Sequence, residues 1–136
     1  MKLLTLLLIL LSFNTIADVE VIAGVKTYHI NYRYENEQNK LVAIRYNNYF
    51  AAYFDNSFSR ETAAIGKDWQ YNKYFGVLYG ASYGYCYENI LQPDPEDCTK
   101  RVLPLLAPYA KVAYQRVNAR LLLFGNAIVA TIGVTF

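Results

Sequence analysis

Charge is scarce in this chain. Asp, Glu, Lys and Arg make up 18% of its 136 residues, against ~25% in ordinary soluble domains. Histidine occurs once and cysteine twice, too few for a zinc site with the usual ligand spacing. No metal and no cofactor is therefore expected. The net charge of +2 lacks the clustered basic excess of a nucleic-acid binder, so no nucleic-acid partner is expected. No internal apolar run reaches the ~18 residues of a membrane-spanning helix. Apolar side chains are plentiful, at 54%, and aromatics reach 16%, with 14 tyrosines among them. That composition excludes disorder. Much tyrosine without a spanning helix leaves a soluble β protein or a membrane β-barrel.

The N-terminus has the form of an export signal. Lys2 supplies a short positive region, Leu3 to Leu11 is apolar apart from Thr5, and Thr15-Ile16-Ala17 is a small-x-small cleavage site. This matches a secretory signal peptide over residues 1–17 and is too short for a transmembrane anchor. Residues 18–136 then form a single domain. Export bears on the cysteines. Cys86 and Cys98 flank a segment containing Pro93-Asp94-Pro95-Glu96-Asp97. In an oxidising compartment such a pair reads as a disulfide closing a loop.

The rest of the chain alternates. Tyr28, Ile30, Tyr32 and Tyr34 share one strand face, with Thr27, His29, Asn31 and Arg33 on the other. Successive strand side chains point to opposite faces. The same period returns in Val42, Ile44 and Tyr46 against Ala43 and Arg45, and in Ala63, Ile65 and Trp69 against Thr62, Gly66 and Asp68. It continues in Phe75, Val77, Tyr79, Ala81, Tyr83 and Tyr85 against Gly76, Leu78, Gly80, Ser82 and Gly84, and closes in Ile128 to Phe136 against Val129, Thr131 and Gly133. Tyrosines near strand ends suit the aromatic girdles of a membrane barrel, and the small or polar faces suit a narrow lumen.

Length sets the strand number. Membrane β-strands take about 9–11 residues, so eight strands use roughly 80 and ten would leave almost nothing for connections. The expected fold is all-β: an eight-stranded antiparallel transmembrane β-barrel of the outer-membrane type. Its strands are placed at 20–34, 40–47, 49–57, 60–71, 74–85, 102–115, 118–124 and 127–136. The expected address is the outer membrane of a Gram-negative-type cell. The aromatic C-terminus, Phe136, resembles the signal read by the barrel assembly machinery. The expected state is a monomer.

Few residues carry chemistry. His29 lies on a polar face, and Ser57 lies in Phe54-Asp55-Asn56-Ser57-Phe58 near the same end of the barrel. Imidazole beside hydroxyl is the minimum set for acyl transfer; a lone lumenal histidine also serves as a hydrogen-bonded filler, and both uses stay open. Pro104 and Pro108 interrupt an otherwise good strand. Proline cannot donate to a ladder, so it belongs at edges and bulges. Here it marks a loop returning to the wall, or a lateral opening for a lipid tail.

The segment Leu103-Pro104-Leu105-Leu106-Ala107-Pro108-Tyr109-Ala110-Lys111-Val112-Ala113-Tyr114 resembles the proline-bearing strand of the lipid A palmitoyltransferase (PagP) family. Tyr53 to Phe58, continuing to Ile65-Gly66-Lys67-Asp68-Trp69, is similar to that family's active-site strand and the strand after it. His29 with Tyr34-Glu35-Asn36-Glu37 resembles its histidine strand and a shortened first loop. The resemblance implies an eight-stranded outer-membrane barrel moving a palmitoyl chain from phospholipid to lipid A. It implies His29 and Ser57 at catalytic positions, Pro104 and Pro108 at a lateral gate, and membrane lipids as partners. Asn56 stands where the family has an aspartate. Asp68 stands where it has a small residue that sets the chain length at the pocket floor. The helix preceding the family's barrel has almost no room between Asp18 and the first strand.

Two other functions fit the same residues. One is a non-catalytic outer-membrane surface barrel that alters the envelope or masks another receptor through the 86–101 loop. The other is a soluble periplasmic barrel carrying an apolar ligand.

Overall fold

The computed structural model describes residues 18–30, 40–56, 60–86, 99–125 and 127–136. The segment 1–17, Ser57 and Cys98 lie outside the described residues. Eight strands follow in order: β1 (Val19–His29), β2 (Val42–Tyr46), β3 (Tyr49–Asp55), β4 (Glu61–Gln70), β5 (Phe75–Cys86), β6 (Lys100–Tyr114), β7 (Val117–Phe124) and β8 (Ala127–Thr135). Each pairs antiparallel with the next, and β8 returns to β1, closing the barrel. Among the described residues there is no helix. Closure removes the free edges that would otherwise template aggregation.

Strand polarity divides the barrel into two ends. Short connections at Asn47-Asn48, Tyr71–Tyr74 and Gln115-Arg116 gather at one, the turn end. Asn47 and Gln115 hold left-handed backbone there, with φ of 52° and 54°, a conformation asparagine tolerates well. The other strand ends, at His29, Val42, Asp55, Glu61, Cys86, Lys100, Phe124 and Ala127, gather at the opposite, loop end.

Many large apolar side chains point outward. Val21, Ile44, Ile65, Trp69, Tyr79, Leu106, Val112, Leu121 and Ile132 all lie exposed on the outer surface. The alternation therefore runs in the sense its tyrosines suggest. In β1 the two halves are out of phase, and a bulge between Gly24 and Lys26 corrects this. Val25 and Lys26 both face out, after which Thr27 turns inward and Tyr28 outward. A bulge inserts one residue and so reverses the facing of all that follows.

A second irregularity corrects the expected facing of Tyr85. The β5–β6 register shifts between Tyr83 and Cys86, around Gly84 with φ of +141°. Only glycine adopts this region readily. Tyr85 lines the interior as a result, instead of continuing the outer row of Tyr79 and Tyr83. Cys86, fully buried, ends the strand.

Candidate functional site

The lumen has two halves of opposite character. At the turn end it is a network of charges. Glu20 is completely buried and accepts from Arg45 Nε at 2.8 Å, from an Arg120 guanidinium nitrogen at 2.8 Å and from Asn118 Nδ2 at 2.7 Å. Arg45 also reaches Asp18 at 2.9 Å and the carbonyl of Asn47 at 2.6 Å. Tyr109 donates its hydroxyl proton to Asp68 Oδ1 at 2.6 Å. The other oxygen of Asp68 lies 3.7 Å from Arg45 and 4.0 Å from Arg120. The Arg120 guanidinium also sits over the Tyr109 ring, 5.2 Å from its centroid.

Glycine makes the room for this network. A Cβ at Gly133 would strike Glu20 Oε1, and one at Gly76 would strike the Tyr109 ring. Buried charges are tolerable only when paired and hydrogen-bonded. Asp68, the expected pocket floor, meets that condition through Tyr109 and the two arginines.

Towards the loop end the lumen is apolar, a departure from the uniformly small and polar interior that the alternation suggests. Phe50, Phe54, Leu105, Ala107, Leu122 and Val129 pack inward around a cavity of about 80 Å³, open at its mouth. Phe124 meets Phe54 edge-on at 5.7 Å and stacks with Tyr85 at 6.3 Å near that mouth. Arg45, Asp68, Arg120 and Thr131 line its floor.

His29 and Asn56 both line the cavity near its mouth, as does Asp55. Asn56 is buried and its side chain is engaged. It donates to Thr62 Oγ1 at 3.0 Å and to the Gly84 carbonyl at 3.3 Å, and its oxygen accepts from the Arg60 amide at 3.2 Å. Asn56 thus ties the end of β3 to β4 and to the Gly84 irregularity. Asp55 pairs with Lys40 at 3.5 Å.

Pro104 and Pro108 lie on β6 opposite Ala81 and Val77 of β5. The amide of Lys111 donates to Tyr74 on the β5 side. With a period of two, the amides of even-numbered β6 residues face β7. The two prolines therefore delete donors from the β7 edge. The β6–β7 ladder accordingly stops at Tyr109–Leu122, although β6 continues back to Lys100 and β7 on to Phe124. Residues flanking this gap, Leu105 and Ala107 on one side and Leu122 and Phe124 on the other, line the cavity. Between β1 and β2 the ladder ends at Ala23–Val42, supplemented by a bond from the Gly24 amide to the Leu41 carbonyl.

His29, Asn56 and Asp68, expected at one site, line one cavity, whereas Pro104 and Pro108, expected at a gate in the wall, stand exposed on the outer face of β6. Sequence reasoning missed Glu20, Asn118, Arg120 and Tyr109. Arg120 carried a usable signal: a charge at an inward position in the otherwise apolar run Ala119 to Phe124. Among the described residues no group of three His, Cys, Asp or Glu could hold a metal ion. Comparison of the sequence with protein-family models and with curated proteins finds no match.

Proposed function

We propose that this chain is an exported outer-membrane β-barrel that takes a lipid acyl chain from the surrounding leaflet into its lumen. The observation that carries the reading is the apolar cavity bordered by the unpaired β6–β7 edges. A bilayer offers no water to unpaired backbone groups, so a gap in a membrane barrel is costly unless something uses it. The exposed belt around Ile65, Leu106 and Leu121 supports the membrane placement, since outward apolar residues are what hydrocarbon accepts.

Acyl transfer to, or modification of, outer-membrane lipid is the reaction this site would serve. His29 at the cavity mouth would act as general base, and Ser57 as nucleophile or oxyanion donor. In the nucleophilic form the Ser57 oxygen attacks the ester carbonyl while its proton passes to the imidazole. The departing lipid hydroxyl takes that proton as the ester bond breaks. The acceptor hydroxyl then repeats the sequence in reverse and frees the serine. The resemblance to the lipid A palmitoyltransferase family supports this choice of substrate.

A second reading, a non-catalytic barrel altering the envelope, is favoured by Asn56. An amide cannot serve as the carboxylate of an acid–base set, and this one is fully occupied in structural hydrogen bonds. Mass spectrometry of lipid A and phospholipids from expressing cells separates the two. Catalysis predicts an added acyl chain that disappears with His29→Ala. An identical acyl pattern with and without the protein contradicts it.

A further inference from the structure

An acyl chain gains little by moving from bilayer to cavity, because lipid tails are as apolar as the leucines that line it. Selectivity must come from packing or from polar contact, and the floor offers polar contact of one kind. Arg120 and Thr131 face each other across β7 and β8 in register, and both are about 2% exposed. Among the described residues Arg120 Nε and Thr131 Oγ1 are buried without a hydrogen-bond partner, and both residues line the cavity. Cross-strand neighbours of this kind stand ~5 Å apart at Cβ, close enough for one small group to touch both.

From this we infer that the lumen binds a single-chain amphiphile whose uncharged oxygen, a hydroxyl, is lodged on the floor between Arg120 Nε and Thr131 Oγ1. The inference rests on the reading of the lumen as an acyl-chain site and names the chain it prefers. A hydroxyl oxygen accepts from the Arg120 N–H, and the two hydroxyls hydrogen-bond each other. A carboxylate fits worse. The two guanidiniums already face Glu20 and Asp68, while Asp18 and Lys111 nearby add one charge of each sign. A further anion would be buried without a counter-charge. A plain methyl end fits worse as well, because it leaves both polar atoms unmatched. The apolar wall from Arg120 to Phe124 along β7 extends roughly 13 Å, which calls for a chain of medium length.

The test uses the full chain in micelles, isotopically labelled, with 1-decanol, decane and decanoate as chain-matched probes. A phospholipid with an ω-hydroxylated decanoyl chain forms a fourth arm. Decanol should shift the Arg120 Nε–H resonance while leaving that of Arg45, already bonded to Glu20, in place. Its hydroxyl-bearing carbon should show contacts to Thr131. Thr131→Val keeps the shape and removes the hydroxyl. It should weaken decanol binding roughly five- to tenfold and leave decane unchanged. Tighter binding of the hydroxylated phospholipid than of decanol identifies a lipid tail as the source, and the reverse identifies a free alcohol. Equal affinity for decane and decanol, or the methyl end resting on Thr131, overturns the inference while leaving the acyl-chain reading intact. Failure of every probe to enter the lumen overturns both.

Discussion

Tyr109 and Asp68 meet across the lumen, the phenol of β6 donating to the carboxylate of β4 at 2.6 Å. The contact passes over β5 where Gly76 leaves space for the ring. It joins the apolar cavity to the charged floor, since Tyr109 also packs with Leu105, Ala107 and Leu122. Tyr109→Phe keeps that packing and deletes the donor. The expected loss is about 1–3 kcal/mol of barrel stability, as for a hydrogen bond to a charged group. The urea midpoint of refolded protein in micelles measures it, and an Asp68→Asn cycle isolates the pair.

Glu20 is the hub that lets two arginines share one interior. Glu20→Ala leaves Arg45 and Arg120 without their nearest counter-charge and should cost about 3–5 kcal/mol. Loss of heat-modifiable gel mobility at moderate temperature is the simplest readout. Gly133→Ala attacks the same hub sterically, through the Cβ that would strike Glu20. Crowding a packed interior costs ~1–3 kcal/mol, so the milder variant should shift the same transition by less.

Restoring the deleted amides tests the seam. Pro104→Ala with Pro108→Ala returns two donors on the β7-facing edge of β6. The expected result is a ladder extended beyond Tyr109–Leu122, seen as slowed amide exchange at Leu123, opposite position 108. Stability should rise by about 1 kcal/mol per bond formed, and entry of an acyl chain into the lumen should slow. Unchanged exchange and unchanged entry would separate the prolines from any gating role.

Cys86, buried at the end of β5, is expected to pair with Cys98. The intact mass of exported protein should then lie two hydrogens below the reduced value and respond to thiol reagents only after reduction. Alkylation of both thiols in the unreduced, denatured protein would contradict the pairing.

The strands were legible because a period of two is written plainly in residues such as Ile128, Ile132 and Val134 against Val129, Thr131 and Gly133. Seven strands fall within two residues of their expected limits, while β1 ends at His29 against an expected 34, with 31–34 outside the described residues. Tyr85 escaped because one irregularity at Gly84 inverts its facing, and no composition signal marks such a shift. The charged floor escaped because its members come from strands far apart in sequence: Glu20 bonds Asn118 and Arg120 from the opposite end of the chain. The apolar half of the lumen was hidden because Phe50 and Leu122 sit among apolar neighbours of both facings, where alternation in hydrophobicity fades. The Pro104 and Pro108 signal survived because a missing amide acts through the backbone wherever it falls.

Membrane placement requires hydrocarbon around the outer face, and the single tryptophan reports on it. Trp69 lies outward on β4 near the turn end, 58% exposed. In bilayers of phospholipids brominated on their acyl chains near the headgroup, its fluorescence should be strongly quenched relative to unbrominated lipid. Water-soluble acrylamide should quench it only weakly. Efficient acrylamide quenching with no response to brominated lipid would place that face in water and contradict the account.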